Sequence, residues 1–275
     1  MAERAWWLSS KRIDAATLVA SSEEGTLVVA NLQDRRPEKK HRFTGCTAEY
    51  ITFDFGQDVA CNSLALVGHN LGADATLRLR LAASAANVTA APAKDSGVIS
   101  AWPTSGKHTD EDWPEEFSLV RVTNSTGYRY GRLDIADPTN TDGYAQAGRL
   151  MAGAALQTRI NVDLNVGLGL VSPDERTRSP FGRTYSDNRG HPSRRLILPL
   201  SAINQDDMKA GLFELQRYCG LARDFVFSLD PTATTFFHTF SLQALFENDA
   251  QFESLPLWDA DGQVWRSSIN LIELL

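Results

Sequence analysis

At 275 residues, with 43% apolar and 22% charged side chains, the chain has the composition of a folded globular protein with room for two domains, which excludes an intrinsically disordered chain. A net charge of −7 argues against non-specific nucleic-acid binding, which needs clustered cations to displace counterions from phosphate. One basic cluster, Arg35, Arg36, Lys39, Lys40 and Arg42, stands against that background and reads as a solvated loop.

The chain opens Met-Ala-Glu-Arg-Ala-Trp-Trp, with charge where a secretory signal needs a long apolar segment. No apolar run of 18 residues follows, so neither a leader nor a membrane span is expected. Trp6 and Trp7 are placed to pin the first strand to a partner or to the chain's own core. Ile51, Phe53 and Phe55 then alternate with Thr52 and Asp54, the period of a strand with one wet face. Leu64 to Val67 is apolar on both faces, as in a central strand. Leu77, Leu79 and Leu81 alternate with Arg78 and Arg80. From about Ala83 to Glu116 the sequence is polar and broken by Pro92, Pro103 and Pro114, which predicts elaborated loops. Strands resume near Phe117–Val122 and Arg129–Ile135, and Asp137-Pro-Thr-Asn-Thr-Asp-Gly143 is turn chemistry throughout.

The second half opens on Ile160, Val162, Leu164 and Val166, alternating with Arg159, Asn161, Asp163 and Asn165. This is the cleanest strand pattern in the sequence. From about Gly167 to Ser193 a Gly/Pro/Ser/Arg-rich segment predicts a long exposed loop, or an arm that orders on a partner. A strand over Arg195–Leu200 leads to one helix, about 204–219, capped by Asn204 and stopped by Gly220, with Met208, Leu212, Leu215 and Cys219 on one face. Strands at Asp224–Leu229, Phe236–Phe246 and Val264–Leu274 follow, with Asp259-Ala-Asp-Gly262 as a hairpin turn. The expected fold is mainly β: an N-terminal jelly-roll β-sandwich over 1–155, then a β-sandwich or half-barrel with one flanking helix over 156–275.

Chemistry-bearing patterns are sparse. There is no GxSxG, HExxH, P-loop or GxGxxG, and the five histidines lack metal-ligand spacing. His69, in Gly68-His-Asn70, reads as a ring bonded to loop backbone rather than a catalytic base. Asp54 reads as an outward carboxylate. Asp137, Asn140 and Asp142, like Asp259 and Asp261, fall short of a calcium loop and read as turns. Cys46, Cys61 and Cys219 have no paired spacing and read as reduced core residues. No catalytic residue, cofactor or metal is therefore assigned, and the chain is expected not to be an enzyme. Trp102 and Trp113 lie in the polar loops, where they either stack on sugar rings or fold back as loop anchors. With Arg183 of the Gly167–Ser193 segment they are the candidate contacts to glycan or protein partners.

Ala20-Ser-Ser-Glu-Glu24, Ala30-Asn-Leu-Gln-Asp34 and Tyr50-Ile-Thr-Phe-Asp-Phe-Gly56 resemble the opening of discoidin-type, galactose-binding-like sandwiches, with Phe55 where Leu is usual. Leu66-Val-Gly-His-Asn-Leu71 and Tyr130-Gly-Arg-Leu-Asp-Ile-Ala-Asp-Pro138, through Gly143-Tyr144 to Gly148-Arg-Leu150, resemble tail-tip or baseplate proteins of long-tailed bacteriophages, prophages and gene transfer agents. That likeness covers roughly residues 15 to 155. The second half resembles, more weakly, the tail-tube-like fold of distal tail proteins. The resemblance implies a structural subunit of a tail tip, in a ring or trimer, made in the host cytoplasm and carried in the virion. Its partners would be other tail proteins and copies of itself. The alternative is a carbohydrate-binding module recognising a host-surface glycan.

Overall fold

A computed structural model of the chain describes residues 4–274 except 37, 105, 108–116, 123–126, 188, 234–235 and 260–261. The protein is mainly β, with antiparallel sheets stacked in layers and one substantial helix on the last. The outermost layer is a six-stranded sheet in which Thr17–Ala20, Glu49–Ala60, Gly127–Ala136 and Thr76–Ala82 lie side by side in that order. The two-residue alternation sets its inner face: Ile51, Phe53, Phe55, Leu77, Leu79, Leu81, Leu133 and Ile135 are all buried in one cluster.

Facing it is a three-stranded sheet with Ser63–Val67 between Phe117–Arg121 and Arg149–Gly153. Alternate residues of this sheet serve different cores. Leu64, Leu66, Val120 and Leu150 face the six-stranded sheet. Ala65, Val67, Phe117 and Met151 face Leu8, Val226 and Phe237 of the next layer. Two buried faces explain the unbroken apolar run from Leu64 to Val67.

The third layer is a seven-stranded sheet. Trp6–Ser9, Phe225–Ser228, Ser241–Phe246, Gly262–Glu273, Ser193–Ile203 and Gly167–Val171 are neighbours in that order, and Glu253–Asp259 flanks Gly262–Glu273. The start of the chain thus lies in a sheet built by its second half, with Trp7 opposite Phe227. Trp7 is buried in the protein's own core, edge-on to Phe227 at 4.6 Å. The helix covers this side. Asn204 Oδ1 accepts from the Asp206 amide at 2.9 Å, a π-type turn spans Asp207–Leu212, an α-helix spans Phe213–Cys219, and Gly220 ends it at φ +52°. Met208, Leu212, Leu215 and Cys219 are buried, as their spacing predicts.

Three expected elements are different in the structure. Ile160–Val166 forms no strand: Val162 is buried, but Ile160 and Leu164 are exposed, so the alternating apolar residues share no face. The polar residues between them fix an extended linker. Asn161 Oδ1 accepts from the Ala5 amide, and the Asp163 carboxylate accepts from the amide and hydroxyl of Ser201. Phe236–Phe246 is a strand only from Ser241, because Phe237–Phe240 is a helical turn that buries Phe237 and leaves Phe236 exposed. The Gly167–Ser193 segment is a regular ribbon instead of an irregular loop, as described below. The polar stretch after Ala83 holds a short helix, Ala85–Ala90, and two-residue strands Lys94–Asp95 and Ile99–Ser100.

Candidate functional site

The sequence candidates fall into closed networks and one open feature. His69 is fully enclosed. Its Nδ1 accepts from the Leu71 amide at 3.3 Å, so Nε2 carries the proton and donates to Ser118 Oγ at 2.7 Å, and Ser118 donates in turn to the Ala101 carbonyl at 2.5 Å. Burial, with smaller repulsion from Lys107, Lys40 and His238, pushes the imidazole down to about 3, so it is neutral. Trp102 is only 4% exposed. Its Nε1 donates to the Gly72 carbonyl at 2.6 Å, His69 meets the ring edge-on at 5.1 Å, and the Lys107 ammonium lies 5.4 Å from the ring centre. Trp102 is thus a loop anchor, with no free face for a sugar. Trp113 and Asp261 lie outside the described residues.

Asp54 points outward and pairs with the Arg129 guanidinium at 2.7 Å, which, with the Gly56 amide, holds its carboxyl below the usual range. The Asp137 turn is a loop clasp. The buried Asp137 Oδ2 accepts from the Gly72 amide and the Asn140 side chain at 2.7 and 2.8 Å, and Asp142 Oδ2 accepts from Asn70 Nδ2 at 2.8 Å. Among the described residues no three His, Cys, Asp or Glu side chains gather as metal ligands. Four of the five basic-cluster residues are engaged within the chain: Asp34 binds Arg36 and Lys39 at 2.7 and 3.0 Å, Arg35 donates to the Ala222 carbonyl, and Arg42 stacks on Tyr144 at 4.0 Å. The three cysteines are free and buried. Desolvation pushes the thiols of Cys61 and Cys219 up to about 11 and 12, which keeps them protonated and unreactive.

Beside the Asp137 clasp lies an open cleft of about 540 Å³, lined by Asn70, Asp74, Lys107, Thr139, Asn140 and Asp142 among others. Its asparagines are already engaged in holding the loops together, which leaves Asp74 and the threonines Thr139 and Thr141 as the groups facing solvent.

The open feature is the arm. Gly167–Val171 pairs with Ser193–Ile197 of the long strand, and the ribbon continues outward as Glu175–Arg178 against Thr184–Asp187, with Thr177 opposite Tyr185. The tip is Ser179-Pro-Phe-Gly-Arg183, closed by Ser179 N–H to Arg183 O at 2.8 Å and Gly182 N–H to Ser179 O at 2.9 Å, with Gly182 at φ +78°. Arg189 ties the base to Asp187 and Glu175. Among the described residues no such ion pair holds the tip: Arg176, Arg178 and Arg183 are exposed, and Phe181 is 93% exposed. Sequence reasoning singled out Arg183 here but missed the ribbon. The signal was Ser179-Pro-Phe-Gly182, a turn between short Thr- and Tyr-containing runs.

No family model matches the sequence, and no curated protein matches it. Several solved structures align over nearly their whole length with about half of this chain. A CBM32 module from Clostridium perfringens in complex with GalNAc-β-1,3-galactose is 15% identical, with a TM-score of 0.36 over 54% of this chain and 99% of that one. A family 32 module of NanJ from C. perfringens in complex with galactose is 12% identical, with a TM-score of 0.37 over 53% and 98%. The C-terminal domain of a chitobiase from Bacteroides fragilis is 17% identical, with a TM-score of 0.38 over 55% and 99%. None of the three is described as a tail protein. At these values the likeness carries no functional argument.

Proposed function

We propose that this protein is a non-catalytic binding component of a larger assembly, joined to its neighbours through the arm. One observation carries this reading. Six of the fifteen large apolar side chains that stand exposed among the described residues, Leu168, Leu170, Val171, Phe181, Tyr185 and Ile197, fall on the ribbon. Apolar surface concentrated on one projecting ribbon, among exposed arginines, is the composition of a contact made with another protein. In the tail-tip reading of the sequence, the neighbours are other tail proteins and copies of this chain in a virion. The protein is then two units divided near residue 155, with the first strand crossing to the second unit. Shortening the arm by replacing 174–188 with a two-residue turn tests it. Loss of co-assembly with unchanged far-UV circular dichroism supports the reading, and unimpaired assembly of the shortened protein overturns it.

The second reading, a carbohydrate-binding module for a host-surface glycan, is favoured by the open polar cleft at the loop end of the first sandwich. Asp74, Thr139 and Thr141 would meet sugar hydroxyls there. Calorimetric titration with galactose and with GalNAc-β-1,3-galactose tests it. Saturable binding that Asp74→Ala removes would support the module, and no saturable binding would leave the assembly reading alone.

A further inference from the structure

Among the described residues the seven-stranded sheet has one edge left open. At its far end, Trp6–Ser9 is closed off by Leu156, whose backbone exchanges hydrogen bonds with Trp7 at 3.1 and 2.8 Å. On the flank, Glu253–Asp259 carries Pro256, which has no N–H, and a bulge between Ser254 and Trp258. Both devices protect an edge from pairing. Gly167–Val171 has neither. It is the terminal strand of the sheet, paired on one side, and its sequence Gly-Leu-Gly-Leu-Val contains no charge and no proline. Leu168 and Leu170 lie opposite Leu196 and Arg194, which are buried, and residues directly opposite share a sheet face. The two leucines therefore point to the covered side of the sheet, yet they are 47% and 60% exposed because the sheet stops there.

We propose that this edge pairs with the same strand of a second copy, antiparallel about a two-fold axis near Gly169, so that the sheet runs on from one copy into the other. The inference rests on the assembly reading and names its first partner. The strand is uncharged along its length and so complementary to itself, as a two-fold joint requires. A head-to-tail joint that kept this same sheet continuous would need a second open edge on it, and its other edges are closed or protected. Antiparallel pairing sends the two arms in opposite directions. Each tip, with Arg176, Arg178 and Arg183 and no acidic residue from 176 to 186, then lies away from its equal and along the other copy of a chain whose net charge is −7.

Gly169 supplies the test. A Cβ added there meets nothing within 4 Å, and the native cysteines are buried. Directly opposite residues across an antiparallel pair lie about 4.5–5.5 Å apart, within disulfide range. We expect the full-length protein to sediment at twice its monomer mass. Gly169→Cys should lock that dimer under mild oxidation and release it on reduction, whereas Leu170→Lys should sediment as a monomer with unchanged circular dichroism. A wild-type protein that stays monomeric at every concentration, or a dimer that Leu170→Lys leaves intact, overturns the proposal. A dimer that Leu170→Lys breaks but Gly169→Cys does not lock overturns the stated two-fold. If shortening the arm abolishes co-assembly while the wild type alone is a monomer, the assembly reading stands and this pairing falls.

Discussion

Gly131 and His69 show how single residues set the packing of the first sandwich. Gly131 sits mid-strand between Phe53 and Leu81, and a Cβ there would come within 2.1 and 2.2 Å of two Phe53 ring atoms. The ring lies across the glycine, which is why the strand carries a residue of poor strand propensity. Gly131→Ala should lower stability by about 1–3 kcal/mol in urea melts, since the ring must leave its place. His69 gives the pH dependence. Its pKa in the fold is depressed to about 3 by burial, while the unfolded chain protonates it near the ordinary value. Below pH 6.5 the unfolded state therefore binds a proton that the folded state refuses, and stability falls as the pH is lowered towards 3. At pH 5 the loss from His69 is about 2 kcal/mol. Urea midpoints at pH 7 and pH 5 should show that fall, and His69→Gln should reduce it. His41, held below its ordinary value by burial, adds in the same direction. The sequence showed that His69 and Trp102 lay in loops; it could not show that they close on each other through Ser118, 49 residues on from His69.

At the level of elements, sequence reading succeeded where local signals and burial agreed. The helix announced itself by cap, stop and stripe, and each proved physical: Asn204→Ala should cost about 1 kcal/mol by freeing a helix-end donor. Gly220→Ala should cost about as much by forcing a side chain into positive φ. Thermal melts of both variants check this. Reading failed at 160–166, where alternation was present without a sheet to receive it. A period of two says which residues could share a face, and it cannot say that a neighbouring strand exists. It failed in the opposite sense along the arm, where Gly, Pro and Arg are poor strand formers and the ladder survives because Ser193–Ile197 supplies a template for its base.

The whole molecule is held by contacts between residues distant in sequence. Arg149, on the three-stranded sheet, reaches into the next layer and grips Asp224 with two hydrogen bonds at 2.8 and 3.0 Å, while also pairing with Asp14 at 2.7 Å. Gln243 completes the set by donating to Asp224 at 2.7 Å. Both partners of the main pair are sealed from solvent, so Arg149→Met should destabilise the protein by about 3–5 kcal/mol by leaving a buried carboxylate uncompensated. A denaturant midpoint shift of that size, with the m-value unchanged, checks it. No sequence pattern marks such a pair, because nothing local to Arg149 or Asp224 differs from a surface residue. The first strand raises the same difficulty in time. Trp6–Ser9 must wait for Phe225–Ser228, which leaves the ribosome more than 200 residues later, on the order of 10–40 s at ordinary translation rates. Through that interval two indoles remain without their final neighbours. The amino end, first to be made, is among the last to find its place.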